Sequence, residues 1–182
     1  MTIEKATLGC GCFWCFEAVF QQLQGVEAIL PGYSGGVLSN PSYEQVCTGN
    51  TEHAEVLQIQ FDSEQISFRT LLQVFFSIHN PTTLNRQGAD VGTQYRSVIY
   101  YHNNEQKDQA EKLISEINAA QQWDKPIVTE ITPIDIFYEA EEYHHNYYNN
   151  HSTQPYCQAV ISPKLAKLYK EYSSLLKPGK IS

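Results

Sequence analysis

Apolar positions recur along this chain at two spacings, one typical of strands and one typical of helices. In residues 54–62, Leu57, Ile59 and Phe61 alternate with glutamines, which predicts a strand with one buried face. In residues 103–123 the apolar positions return every three or four residues, as they do along one face of a helix.

The same reasoning predicts elements along most of the chain. We predict strands over residues 3–9, 54–62, 96–102 and 127–134, and helices over residues 16–25, 68–80, 103–123 and 163–176. Gly25 would end the first helix, and Asn103 with Gln106 would cap the third. We therefore expect an α+β fold: a mixed β-sheet with helices packed against it in a two-layer, ferredoxin-like (α/β plait) arrangement, with a loop-rich C-terminal tail that wraps the core.

No repeat, charge block or linker divides the chain. We therefore expect a single domain over residues 1–182, with a core of about residues 3–150 and a C-terminal tail of about residues 151–182.

Composition and charge exclude several classes of partner. The 182 residues carry a net charge of −8, so we expect no binding to nucleic acid or to anionic membranes. The longest apolar stretch is too short to cross a membrane, and the first residues lack the pattern of a secretory signal. The five cysteines are an odd number, and three of them lie within six positions, which is poor geometry for a disulfide framework. We expect a cytoplasmic protein.

The sharpest local feature is a C-x-x-C pair, Cys12 and Cys15, at the junction of the first strand and the first helix. A thiol at a helix start lies near free amide groups, which lower its pKa and favour the nucleophilic thiolate. Most free cysteines are instead small, buried apolar residues. Phe13 and Trp14 favour the interpretation of these cysteines as nucleophiles, because we expect the two aromatic residues to form an apolar platform at the surface between the thiols.

A metal site is an alternative interpretation of these cysteines. Cys10, Cys12 and Cys15 could be joined by a fourth ligand from the tail, but their spacing is not a zinc-ligand pattern. We therefore expect no metal. The candidate ligands in the tail are Cys157, His144, His145 and His151, and we interpret these histidines as packing groups. Cys47 is expected to be buried and inert.

Two further segments contain polar groups suited to catalysis. Tyr43, His53 and Glu55 flank the start of the second predicted strand. A carboxyl group beside aromatic rings can stay protonated and act as a general acid, whereas a glutamate at a strand edge is more often solvated; these residues alone leave both interpretations open. The loop between residues 79 and 98 has the length of a functional loop, although its composition also suits a loop folded on its own hydrogen bonds. Its polar residues are Asp90, Gln94, Tyr95 and Arg96.

Taken together, these segments resemble the type A peptide methionine sulfoxide reductases. Three motifs agree in order, GCFW, HAEV and DVGTQYRS, and PGYSGG, NPTTLNRQG, AEEYH and YC also match, so that the likeness spans about residues 6–160. The chain departs from the family pattern at Cys10 and Glu52, where the family usually has Gly, and at His145, where it usually has Gln. Glu52 adds a negative charge near Glu55.

The resemblance implies a role for the residues in these motifs. Cys12 would attack the sulfur of methionine-S-sulfoxide, in peptides or free, and Glu55 would donate a proton to its oxygen. Tyr43 and Tyr95 would donate hydrogen bonds to the same oxygen. The products would be methionine and a sulfenic acid on Cys12.

The remaining implied roles concern binding and regeneration. Phe13 and Trp14 would hold the methyl group of the substrate, and Asp90 would help to set the environment of the thiolate. Cys157, on a mobile tail, would resolve the sulfenic acid of Cys12, and Cys15 is the alternative resolving cysteine. Thioredoxin, or another dithiol, would then reduce the disulfide. The resemblance implies a monomeric enzyme without a bound cofactor.

Two other functions remain open at this point. A general dithiol–disulfide oxidoreductase would use Cys12 and Cys15 and would be indifferent to Glu55. A metal-binding or regulatory module would carry stoichiometric zinc or iron.

Overall fold

A six-stranded mixed sheet organises residues 2–178, which are the residues that this computed structural model describes. Residues 1 and 179–182, at the ends of the predicted domain, lie outside the described residues. The strands of this sheet are β1 (Ile3–Cys10), β2 (Val26–Ser34), β3 (Ala54–Asp62), β6 (Ser97–Tyr101), β7 (Glu130–Pro133) and β8 (Phe137–Glu139). A separate two-stranded hairpin consists of β4 (Arg86–Gln87) and β5 (Asp90–Val91).

Six α-helices connect or follow these strands. They are α1 (Phe13–Phe20), α2 (Tyr43–Cys47), α3 (Phe68–Ile78), α4 (Asn104–Ala119), α5 (Tyr147–His151) and α6 (Ser162–Glu171). Shorter turns are the 3₁₀ segments Thr93–Tyr95, Glu142–His144 and Ser173–Leu175 and the π-helical turn Cys157–Ile161. Within the described part of the chain, no helix combines the length and apolar content needed to cross a membrane.

The strand order across the sheet is β7-β6-β1-β3-β2-β8. β1 pairs antiparallel with both β3 and β6, β2 pairs antiparallel with β3 and β8, and β7 runs parallel to β6. The predicted α+β class with a mixed sheet is therefore confirmed. β1 and β3 lie at the centre, so their C-terminal and N-terminal ends, respectively, meet at the same edge of the sheet.

Side-chain alternation along β3 separates the two faces of the sheet. Leu57, Ile59 and Phe61 are buried in the main core with side chains of α1 and α3, as the alternating pattern predicted. Val56 belongs to a smaller cluster on the opposite face. Because the alternation has a period of two, Glu55 points to the helical face, toward the start of α1.

Some predicted element ends are confirmed and others are wrong. Asn103 caps α4 by accepting a hydrogen bond of 2.9 Å from the backbone N–H of Gln106, as predicted. The first helix begins at Phe13 and ends at Phe20, so Gly25 does not end it. Gly25 has φ of 94°, a left-handed conformation that favours glycine, and it forms the turn into β2.

β2 was absent from the prediction. Its sequence, VEAILPGYS, contains Pro31 and Gly32, two residues that usually indicate a turn and are uncommon in a central strand. Pairing on both sides overrides this local preference: Gly32 lies opposite Val56 of β3 and Glu139 of β8.

The predicted terminal helix is also divided. α6 ends at Glu171, and a 3₁₀ turn follows. The C-terminal segment packs on α1 through α5, α6 and the π-helical turn, so this segment lies beside the junction of β1 and α1.

Candidate active site

The C-x-x-C pair lies where β1 turns into α1. Cys12 is the residue that precedes the first turn of the helix, and the N–H of Cys15 donates a hydrogen bond of 3.1 Å to the carbonyl of Cys12. Gly11 makes the turn possible, because its φ is 112° and a Cβ atom there would lie 2.8 Å from the side chain of Gln87. The two thiols therefore share the first helical turn, as the sequence predicted.

Glu55 comes from the beginning of β3 and reaches the same turn. Its side chain is buried, and Oε1 accepts a hydrogen bond of 3.2 Å from the backbone N–H of Phe13. The other oxygen, Oε2, is buried and has no hydrogen-bond partner among the described residues. Burial raises the pKa of Glu55 to about 8, with a further contribution from the charges of Asp90 and Cys15 against the lowering effect of the Phe13 N–H. Glu55 is therefore a protonated acid at neutral pH.

The two thiols of the pair have opposite electrostatic environments. Burial raises the pKa of Cys12, and the neighbouring groups Cys15 and Glu55 raise it further. The pKa of Cys15 is lowered, chiefly because the thiol of Cys12 donates a hydrogen bond to it, and also because of Tyr156 and Lys164. The predicted lowering of the Cys12 pKa is therefore wrong in the reduced protein: burial and like charges outweigh the helix N-terminus, and it is the pKa of Cys15 that is lowered.

Tyr43 and Tyr95 both lie within electrostatic reach of Glu55. Burial and the charge of Glu55 raise the pKa of each phenol, so both remain protonated hydrogen-bond donors. The pKa of Tyr95 is also raised by the charges of Asp90 and Cys12. The hydroxyl of Tyr43 forms a hydrogen bond with the thiol of Cys47. The structure thus places both predicted tyrosines near the acid.

Phe13 and Trp14 do not form the exposed platform that the sequence suggested. Phe13 is only 1% exposed, and its ring lies 5.7 Å from that of Tyr33. Trp14 is half-buried and stacks on Tyr147 with ring centroids 3.9 Å apart and an interplanar angle of 8°. Their position in a helical turn, under the C-terminal segment, explains the difference. The indole N–H of Trp14 donates to Nδ1 of His144 over 2.9 Å.

A cavity of about 150 Å³ adjoins the two thiols. Its lining includes Cys12, Cys15, Asp90, Tyr156 and Lys164. The hydroxyl of Tyr156 donates to Oδ2 of Asp90 over 3.2 Å and lies 3.5 Å from Sγ of Cys15. Asp90 is therefore near the thiols, as predicted, and is linked to Cys15 through Tyr156.

The other cysteines differ in exposure. Cys157 is fully buried in the π-helical turn, and burial together with the charge of Cys15 raises its pKa. Cys10 is buried as well. Cys47 is exposed, so the prediction that it is buried is wrong: it lies at the end of the short helix α2, on the side facing solvent. No group of three or more His, Cys, Asp or Glu side chains within residues 2–178 could hold a metal ion.

Several polar residues of the two candidate segments have structural partners. His53 accepts from the N–H of Gly36 over 3.0 Å and lies 2.7 Å from the carbonyl of Leu38, which fixes the loop after β2. Arg96 donates to the carbonyl of Thr93 over 2.8 Å. Glu52 is exposed and has φ of 63°, a conformation that favours the glycine found in the family pattern.

Glu141 and Tyr156 were not singled out individually from the sequence, and His144 was considered only as a candidate metal ligand and interpreted as a packing group. Glu141 accepts hydrogen bonds of 2.9 Å from the Tyr33 hydroxyl and 2.9 Å from the Tyr43 N–H. His144 is fully buried beside Trp14, and Tyr156 contacts Cys15. These side chains belong to AEEYH and YC, so the matched motifs contained a signal that pointed to them.

A buried, protonated acid beside a hydrogen-bonded pair of thiols, on an α+β sheet, defines the class of a thiol-based oxidoreductase. The sequence profile of the family described as peptide methionine sulfoxide reductase matches residues 4–176. The chain belongs to this family.

Individual relatives agree with this assignment. The chain is 56% identical over 175 residues to peptide methionine sulfoxide reductase MsrA of Saccharolobus solfataricus, which covers 96% of this chain and 98% of the relative. Among solved structures, reduced Mxr1 from Saccharomyces cerevisiae matches with a TM-score of 0.80 and 37% identity, covering 85% of this chain and 89% of Mxr1. Mxr1 in complex with Trx2 matches with a TM-score of 0.57 and 28% identity, covering 80% and 84%. The resemblance is confirmed, and a general dithiol oxidoreductase is not favoured.

Proposed function

We propose that this enzyme reduces methionine-S-sulfoxide, in peptides and proteins or free, to methionine, and that thioredoxin or another dithiol regenerates it. Family membership supports the reaction, and a structure of Mxr1 with Trx2 supports the reductant. The observation that carries the proposal is the carboxyl of Glu55, which is buried, protonated at neutral pH and tied to the residue next to Cys12.

Glu55 solves the main chemical difficulty of the reaction. The sulfur of a sulfoxide accepts a nucleophile only when its oxygen is protonated or strongly hydrogen-bonded. Sγ of Cys12 attacks that sulfur, and Glu55 delivers its proton from Oε2 to the oxygen. The phenols of Tyr43 and Tyr95 donate to the same oxygen as negative charge develops on it. Oxygen passes to Cys12 as a sulfenic acid, and methionine leaves.

Trp14 and Phe13 supply the apolar part of the site. Phe13 is buried and forms the base of an aromatic cluster, whereas Trp14 keeps part of its ring accessible. We propose that the substrate methyl group packs on this cluster, which leaves the rest of the methionine chain outside. Burial is the main cause of the raised pKa of Glu55, and Asp90, held by Tyr156, raises it further.

A second thiol then condenses with the sulfenic acid of Cys12. Both Cys15 and Cys157 are candidates for this step. Cys15 shares the first helical turn with Cys12, and Cys157 lies buried in the adjoining π-helical turn.

The remaining expectations complete the proposal. We infer a ferredoxin-like, two-layer core. It is supported by the β-α-β-β-α-β order of β1, α1, β2, β3, α3 and β6, into which the short helix α2 and the hairpin of β4 and β5 are inserted. We also propose a single domain over residues 1–182 and a cytoplasmic monomer that holds no cofactor or metal and binds neither nucleic acid nor membranes. The net charge of −8 and the five cysteines, all free, support these points.

Single-turnover methionine formation from N-acetylmethionine sulfoxide, without added reductant, tests the proposal. Wild type is expected to release about one methionine per enzyme. Cys12→Ser is expected to release none, while Glu27→Gln, at an exposed position of β2, serves as the control and gives the wild-type yield. Methionine release by Cys12→Ser would remove Cys12 as the nucleophile.

A further inference from the structure

A second cavity, of about 380 Å³, lies against the short helix α2. Its walls come from the loop after β2, from α2 and from the segment between α2 and β3, through Val37, Leu38, Gln45, Thr48, Asn50 and Thr51. The side chain of Val37 is 75% exposed and that of Leu38 is 36% exposed. The cavity therefore presents two aliphatic side chains to solvent.

Three of the polar side chains around this cavity already have partners. The hydroxyl of Thr48 donates a hydrogen bond of 2.6 Å to the carbonyl of Gln45, and the hydroxyl of Thr51 accepts one of 3.3 Å from the N–H of His53. Oε1 of Gln45 accepts a hydrogen bond of 2.8 Å from the N–H of Ser42 and completes the capping box of α2. An aliphatic or aromatic side chain therefore suits the cavity better than a polar one.

Backbone hydrogen bonds hold the loop of this cavity in place. The N–H of Val37 donates to the carbonyl of Thr51 over 2.9 Å, and Nε2 of His53 lies 2.7 Å from the carbonyl of Leu38. These bonds fix the loop against the beginning of β3. A ligand that enters the cavity therefore requires little ordering of the protein.

The helix α2 separates this cavity from the active site. Tyr43 faces the active site, and its ring centroid lies 6.1 Å from that of Trp14. Gln45 and Thr48, which line the cavity, lie on the opposite side of the same helix. A helix with its side chains is about 10 Å across, and an extended chain advances about 3.3 Å per residue. A peptide with its oxidised methionine at Cys12 therefore reaches the cavity with the third residue from that methionine.

The charges around the cavity narrow the class of peptide further. Residues 6–68 contain no lysine or arginine. Glu44 and Glu52 are exposed, and each is next in the chain to a residue that lines the cavity. Acidic side chains of a peptide are therefore repelled at this position.

We propose that this cavity is a second substrate subsite, which binds an apolar side chain three residues from the oxidised methionine of a peptide or protein. The subsite rests on the proposed function, because it places the methionine sulfoxide at Cys12. It is continuous with the active site across α2, and it selects oxidised methionines that have apolar neighbours in the sequence. Such segments come from protein cores, which the polar sulfoxide disrupts.

Steady-state kinetics with peptides blocked at both ends test the subsite. Two peptides carry leucine three residues before or three residues after methionine sulfoxide, and matched peptides carry serine or aspartate at the same position. For one of the two positions, wild type is expected to have a kcat/KM about 10-fold higher with leucine than with serine, because an apolar side chain is buried. The value with aspartate is expected to be the lowest. N-acetylmethionine sulfoxide is too short to reach the cavity and is the reference substrate.

Variants of the cavity show whether the preference arises there. The double variant Val37→Ser/Leu38→Ser is expected to lose the preference for leucine and to keep the wild-type kcat/KM with N-acetylmethionine sulfoxide. Ile3→Ser, at an exposed position at the far end of β1 from the thiols, is the control and is expected to keep the preference.

Three results would contradict these expectations. Equal kcat/KM with leucine and serine at both positions in wild type, or a preference that survives in the double variant, would overturn the subsite. Self-association of wild type that the double variant loses in sedimentation would also overturn it, because the cavity would then hold a second copy of the chain. Failure of wild type to reduce N-acetylmethionine sulfoxide would instead overturn the proposed function.

Discussion

The backbone N–H of Phe13 donates a hydrogen bond of 3.2 Å to Oε1 of Glu55. This bond joins the beginning of β3 to the first turn of α1, so the acid and the thiol of Cys12 keep a fixed relation. It uses one carboxyl oxygen and leaves Oε2 available for the substrate. The proposed mechanism uses this arrangement to bring a proton donor, Glu55, and a nucleophile, Cys12, to one sulfur–oxygen bond.

Replacing this acid tests its role in chemistry. We expect Glu55→Gln, which keeps the shape and removes the transferable proton, to lower kcat by about 10²–10³-fold, within the range of general acid catalysis. KM is expected to change little, because the amide can still donate a hydrogen bond. Steady-state kinetics with Glu27→Gln, an exposed glutamate of β2, provide the control. An equal loss in binding and turnover would argue against an acid role.

The same substitution is expected to stabilise the fold. The folded protein holds the Glu55 proton up to a pKa of about 8, whereas the unfolded chain releases it near 4.5. Folding therefore takes up a proton between these values, and the free energy of unfolding of wild type falls as pH rises through this window. In thermal unfolding, the difference in melting temperature between Glu55→Gln and wild type should increase in favour of Glu55→Gln from pH 5 to pH 8. A difference in melting temperature that stays constant over this range would contradict the raised pKa of Glu55.

Much of the architecture could be predicted from local patterns. The alternation in β3 and the capping by Asn103 are properties of neighbouring residues, so the sequence carries them directly. β2 could not be predicted in this way, because Pro31 and Gly32 indicate a turn and only pairing with β3 and β8 makes them a strand.

The candidate site, too, could be predicted only in part from the sequence. The motifs identified Cys12 and Glu55, and the helix start suggested a low pKa for Cys12. That pKa depends on burial and on the charges of Cys15 and Glu55, which come from the fold and not from the motif. The role of Glu141 likewise required the structure, because 98 positions separate it from Tyr43.

Glu141 positions Tyr43, and this can be tested. Both carboxylate oxygens accept hydrogen bonds, one from the Tyr33 hydroxyl and one from the Tyr43 N–H. Glu141→Gln keeps only one acceptor, so we expect a loss of about 1.5–3 kcal/mol in stability, typical of a hydrogen bond to a charged group, and about a tenfold lower kcat. Tyr33→Phe, which removes one bond and spares that to Tyr43, is the control. Lowered stability with unchanged kcat would exclude the positioning role.

The stacked pair of Trp14 and Tyr147 provides a test of substrate binding. The rings are 3.9 Å apart and nearly parallel, so Tyr147 supports one face of the indole. Such aromatic pairs contribute about 0.5–1.5 kcal/mol of interaction free energy. If the whole of this energy is lost from substrate binding, KM of Tyr147→Ala is expected to rise about 2- to 12-fold, since about 1.4 kcal/mol corresponds to a factor of ten. Tyr147→Phe retains the ring and should retain the KM. An unchanged KM in Tyr147→Ala would show that this face of Trp14 does not contribute to binding.

The most direct measurement of the central claim is the pH dependence of methionine release in a single turnover, followed by rapid quenching. Burial raises the pKa of Glu55 to about 8, so the protonated carboxyl is lost as pH rises above neutral. The wild-type rate is expected to fall as pH rises through about 8, and Glu55→Gln is expected to be slow and to lack this fall. A wild-type rate that stays level or increases between pH 7 and pH 9.5, or a Glu55→Gln profile with the same fall, would contradict proton donation by Glu55.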